Sequence, residues 1–130
     1  MFAPYKRGAE SDALEYLPVT AAEAVAVGEA LVLVSGKLTK CGATAAPTYL
    51  AAGACTAAEA TAGKRIPVIR VSKDVIYQTE LTAAYAGIAA GAKVTISSNG
   101  LGITATTTSG VAEIVDWDGT AVGSPVRVRF

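Results

Sequence analysis

The sequence predicts a mainly β fold, a small β-barrel or β-sandwich-like domain built from hairpins, and three observations predict it. The heavier apolar side chains are Val, Ile and Leu gathered in short runs, and β-branched residues keep their favoured rotamers best on a pleated surface. Turn dipeptides, Ser35-Gly36, Asn99-Gly100 and Asp118-Gly119, punctuate those runs. Helix has little room: the alanine-rich stretch from Thr56 to Thr61 lies between Gly53 and Gly63, which allows one or two short turns.

Taken in order, residues 1–18 mix charge with Pro4, Gly8 and Pro18 and hold neither a period of 2 nor one of 3.6. They are expected to form an extended N-terminal arm outside the core, ordered on a partner through Phe2, Tyr5, Tyr16 and Leu17. Residues 19–130 are expected to form one β-rich domain, since 130 residues suit a single core without metal or disulfide staples. Leu31 to Val34 and Lys37 to Cys41 read as a hairpin about Ser35-Gly36, and Tyr49 to Ala52 as a short strand. Ile66 to Val71 is strand-like, with Pro67 expected at an edge position or strand start because it cannot donate to a ladder. Val75 to Leu81 follows a Lys73-Asp74 turn, and the simple reading pairs the two runs.

Lys93 to Ser98 starts a further strand that turns at Asn99-Gly100 into Leu101 to Thr108, and Val111 to Trp117 makes another. In Pro125 to Phe130 strict alternation puts Val126 and Val128 on one face and Arg127 and Arg129 on the other. The stretch at 27–39 echoes that at 90–104, each reading as glycine, strand, turn, strand, which hints at two related halves closing one barrel, with a chance similarity of generic hairpins as the other reading.

Composition limits function. Eleven basic and eleven acidic residues cancel, so the electrostatic footprint of a nucleic-acid or anionic-membrane binder is missing, and the partners expected are proteins, other copies of the chain included. The chain has no histidine, which removes the commonest general base and metal ligand. Cys41 and Cys55 have no neighbouring base or CxxC spacing and read as two buried thiols, a disulfide being possible but not required. No metal and no cofactor is expected. Asp116 and Asp118 flank Trp117 as a carboxylate pair could in a sugar-acting site, but Asp118-Gly119 is turn chemistry and Trp117 is expected to point inward. No apolar run approaches the roughly 20 residues of a membrane span, and no signal core opens the chain.

The order of these motifs resembles the small head decoration, or capsid cement, proteins of tailed bacteriophages. The residues that carry the likeness are Val-Gly-Glu-Ala-Leu-Val-Leu from Val27, Gly36-Lys-Leu-Thr-Lys-Cys-Gly42, Pro47-Thr-Tyr-Leu-Ala-Ala, Gly63-Lys-Arg-Ile-Pro-Val-Ile-Arg-Val71 and Val126-Arg-Val-Arg-Phe130. The resemblance implies a structural virion protein, not an enzyme, made in the host cytoplasm and bound to the outside of an assembled head. It further implies a homotrimer that reinforces the major capsid protein, with no cofactor. Phe2, Tyr5, Lys6, Arg7 and Tyr16 of the arm are the expected capsid contacts. The alternative is a carbohydrate- or protein-binding β module of a phage tail or cell surface; a third possibility is a hydrolase using Asp116 and Asp118.

Overall fold

The computed structural model describes residues 1–6 and 13–130. They fold as two five-stranded antiparallel sheets in a sandwich-like arrangement with one short helix. The first sheet has the order β2-β6-β5-β3-β4, from β2 (Leu14–Pro18), β3 (Ala30–Val34), β4 (Lys37–Lys40), β5 (Tyr49–Ala51) and β6 (Arg65–Arg70). The second has the order β1-β7-β10-β9-β8, from β1 (Ala3–Lys6), β7 (Ile76–Glu80), β8 (Lys93–Val94), β9 (Ala112–Trp117) and β10 (Pro125–Arg129). The helix α1 (Ala57–Thr61) lies between β5 and β6.

Local chemistry explains the first sheet. Ser35 and Gly36, at φ 50° and 78°, both take the left-handed conformation that a two-residue hairpin turn demands, and Val34 pairs with Lys37 directly across it. Thr56 caps α1: its hydroxyl accepts the Glu59 N–H while the Glu59 carboxylate accepts the Thr56 N–H, a capping box. Lys64 adds an ion pair at 2.8 Å; with these hydrogen bonds it lowers the Glu59 carboxyl to about 2. Pro67 needs correcting, because β6 is an interior strand between β2 and β5. It is tolerated because its carbonyl takes the Ala52 N–H, just past the end of β5, and the donor it lacks would point the same way. Gly53 fits beneath it, since a Cβ there would lie 2.8 Å from the proline ring.

Two further expectations are corrected. The runs at β6 and β7 do not pair, because the chain leaves one sheet and enters the other between them. The Asn99-Gly100 turn forms, with Asn99 Oδ1 taking the Leu101 N–H at 3.0 Å, but its arms make an isolated bridge, Ile96↔Ile103, and a few hydrogen bonds such as Ser97 N–H to Gly102 O in place of a regular two-stranded ladder. In β10 the alternation holds: Val126 and Val128 are buried and Arg129 is exposed. The ladder with β9 slips between Arg127 and Val128, so that Arg127 faces Asp116 and Val128 faces Ile114, a bulge that increases local twist.

Both sheets are built to one plan. Each curls until the residue after one strand, β2 in the first sheet and β7 in the second, meets the far hairpin arm in a parallel bridge, Val19↔Leu38 and Leu81↔Ile103. The ladders then match pair for pair. Ala30↔Leu50 corresponds to Lys93↔Glu113, Ala51↔Val68 to Ile114↔Val128, and Tyr16↔Pro67 to Gln78↔Arg127. Even the entry turns agree: Gly28, at φ 79°, donates to Ala51 O and Gly91, at φ 86°, to Ile114 O. The echoing stretches at 27–39 and 90–104 therefore occupy equivalent places, each in its own sheet, and do not close one common barrel.

Two cores result. One lies inside the first sheet, where Leu31, Leu38, Tyr49, Ile66 and Val68 are buried against Cys55 and Ala60. The other fills the second sheet with Tyr77, Val94, Ile103, Ile114 and Val128, and it takes in Ala30, Cys41 and Leu50 from the outer face of the first sheet. That shared packing holds the two sheets together. Phe2 belongs to this core too, 3% exposed, with its ring 5.5 Å from that of Phe130.

Glycines test the packing. A Cβ at Gly110 would overlap the Lys93 carbonyl and the Val94 nitrogen, backbone atoms that can yield only by moving β8. Gly110→Ala is expected to lower the unfolding free energy by about 1–3 kcal/mol, whereas Gly87→Ala, with nothing within 4 Å, should leave it within about 0.5 kcal/mol. Urea denaturation of the two variants compares them directly.

Candidate interaction surfaces

The expected contact residues part company in the structure. Phe2 is withdrawn from any surface, because its ring is packed in the second core and its N–H is given to Gly28 O at 3.0 Å. Tyr5 stands half-exposed on β1 in the second sheet, and Tyr16 stands 59% exposed on β2 in the first. Lys6 ends β1 opposite Ile76. Arg7 lies outside the described residues. Residues 3–6 and 14–18 are extended, as an arm would be, but they serve as strands of two different sheets.

On the outer face of the second sheet Arg127 is only 8% exposed, although Arg129 on the same face of the strand is exposed. Its guanidinium meets Asp116 through Nε and Asp118 through both terminal nitrogens, at 3.0 and 2.6 Å, and lies 5.2 Å over the Tyr5 ring. β9 and the bulge supply the first carboxylate, the turn after β9 the second, and β1 the ring. Arg127 holds the Asp118 carboxyl below its ordinary range, while the two carboxylates hold Arg127 protonated. A general acid would need its affinity for protons raised, the opposite of the direction at Asp118; the contacts clasp β1, β9 and β10 together on this face. Trp117 packs half-buried against the second core.

The outer face of the first sheet has the opposite character. One cross-strand row runs Ala30, Leu50, Ile69, Leu14. It passes from full burial at the contact between sheets, through a half-buried Ile69, to Leu14 at 51% exposure. Tyr16, opposite a half-buried Pro67, widens it. The other face of the same strands is polar at this end, where Arg70 holds Glu15 through two nitrogens at 2.9 and 3.1 Å and lies 5.0 Å from the Tyr49 ring. The row could not be read from sequence, because Leu14 and Ile69 stand far apart until β2 and β6 pair.

Other reactive groups are enclosed. Cys41 and Cys55 are free, buried, and in different cores; burial pushes the Cys41 thiol up to about 11, which suppresses the thiolate that nucleophilic chemistry requires. Among the described residues no group of three or more Cys, Asp or Glu could hold a metal ion, and no helix is long and apolar enough to cross a membrane. A shallow cleft of about 140 Å³ lies between Met1, Gln78, Glu80 and Pro125, less than half the roughly 300 Å³ at which small-molecule sites begin. Comparison with known protein families, curated proteins and solved structures finds no match to this chain.

Glu29 is the buried charge that sequence reading passed over. It is 3% exposed at the seam between sheets; one oxygen accepts the Ala26 N–H at 2.8 Å, the other has no hydrogen-bond partner, and Lys40 Nζ stands 3.9 Å away. Burial raises its proton affinity. A carboxyl whose folded value is raised adds stability that is fully present below its unfolded value, near 4.5, and that is lost as pH rises through the folded value. Glu29→Gln should therefore flatten the part of the stability profile immediately above pH 4.5, as measured by urea midpoints across the range; an unchanged slope there would assign it to other groups.

Proposed function

We propose that this protein is a structural virion component that binds the outside of an assembled phage head and stabilises it through contacts with the major capsid protein. The observation that carries this reading is the apolar row ending in Leu14 and Tyr16. It is presented by a braced double-sheet unit in which Asp116, Asp118 and Arg127 hold one another and both thiols are buried. A clamp of this kind needs a rigid body with exposed apolar and aromatic side chains that its partner can bury. Neutral overall charge suits contact with a protein surface better than with nucleic acid. The resemblance of the hairpin order to capsid cement proteins supports the same reading. The carbohydrate-binding alternative has less to stand on, because Trp117 packs against the core and is not a free platform.

Undecorated heads provide the test. The intact protein is expected to co-sediment with them to a saturable stoichiometry and to raise the temperature at which they lose their contents. Tyr16→Ala should weaken binding by about tenfold, the loss expected when an aromatic anchor is truncated. If folded wild-type protein stays in the supernatant at saturating concentration, the shell-binding reading fails.

A further inference from the structure

We propose that the open edge of β2 pairs with the same edge of a second copy of this chain, joining two copies about a twofold axis into one continuous sheet. The matched plan of the two sheets makes the vacancy visible. In the second sheet the outer edge of β7 is covered by β1, with Ala3 opposite Gln78 and Lys6 opposite Ile76. In the first sheet the equivalent positions are Tyr16 and Leu14, and no described strand covers them.

The backbone there points outward. Pro67 directs its carbonyl to the Ala52 N–H on the β5 side, so its partner Tyr16 must direct its own N–H and C=O away from β6, and Leu14 two residues earlier does the same. Arg65 Nη1 reaches the Tyr16 carbonyl at 3.3 Å; among the described residues nothing accepts from the Leu14 or Tyr16 N–H. The other edges are guarded. Bridges at Val19↔Leu38 and Ile96↔Ile103 close the β4 and β8 sides. Along β1, Pro4 has no N–H to offer and the preceding Phe2 gives its own to Gly28. An exposed edge with apolar neighbours is a template for another strand.

The occupant is argued from the same edge. It is short, and among the described strands β2 itself brings outward donors at the same spacing, on Leu14 and Tyr16. Antiparallel pairing about Glu15 sets Leu14 of each copy opposite Tyr16 of the other and satisfies all four outward N–H groups of the pair. The two Glu15 carboxylates then meet across the axis, each already accompanied by its Arg70 guanidinium. Zero net charge leaves no long-range repulsion between copies. The apolar row that begins at the seam between sheets would continue across the axis, doubling the face offered to a partner. This pairing is twofold, in place of the threefold arrangement that the resemblance implies, and it stands whether or not the shell is the partner.

Sedimentation equilibrium of the whole chain over a wide concentration range tests it, with the mass expected to rise from one chain to two. Tyr16→Pro deletes one outward N–H without touching the β2–β6 ladder and should abolish the rise, while Tyr16→Thr, which keeps that N–H, should retain it; circular dichroism confirms that each is folded. Glu15→Cys gives a readout independent of those folds. Residues facing each other in a non-hydrogen-bonded antiparallel pair lie about 4.5 Å apart at Cα, within disulfide reach, so mild oxidation should link the introduced thiols into covalent dimers while the buried Cys41 and Cys55 stay free. A mass that remains at one chain up to about 1 mM, a trimer, or a dimer that survives Tyr16→Pro and does not cross-link through Glu15→Cys would each overturn the proposal.

Discussion

The structure depends on each sheet closing over its own apolar face. A five-stranded sheet with one apolar side must cover that side, and here each does so by curling until Val19 meets Leu38 or Leu81 meets Ile103. Parallel bridges of one residue are weak as ladders. Their effect is geometric, because they bring the last-placed apolar residues over a core that would otherwise face water. Once closed, the two units can dock through a small shared contact, in which Ala30, Leu50 and Cys41 of the first sheet complete the core of the second.

Closure also frees the outer faces to diverge. Where the second sheet has Arg127 clasped by two aspartates and a tyrosine, the first has Pro67 beside Tyr16. One scaffold is thus finished with a polar exterior in one unit and an apolar exterior in the other. The asymmetry gives the molecule a sticky side and a soluble side.

Much of this was legible in the sequence wherever the cause was local. The Ser35-Gly36 hairpin, the Thr56-capped turn of helix and the alternation of β10 follow from residues within a few positions of one another, and the likeness of the two glycine-to-turn stretches hinted at the common plan. What escaped was set by distant partners. Alternation identifies β6 and β7 as strands but does not say which sheet each joins, so pairing them was the natural error. Phe2 sits among charges and prolines in sequence, and its burial depends on Tyr77 and Phe130. Alternation put Arg127 on the solvent side correctly; its enclosure comes from Tyr5, Asp116 and Asp118, brought over it by three separate segments. The exposed row through Leu14 was hidden for the same reason.

The placement of β1 bears on how the chain is made. It leaves the ribosome ahead of β2 to β10, yet its partner β7 belongs to the second unit, so Ala3 must wait for Gln78. By then β2 to β6 have emerged, and the first unit can close while β1 is still unpaired. Such long-range pairing is slow, and a waiting strand is open to capture by neighbouring chains. Pro4, which removes a donor from the middle of β1, makes that strand a poor template during the interval, and the Arg127 clasp over Tyr5 secures it only after β10 has arrived.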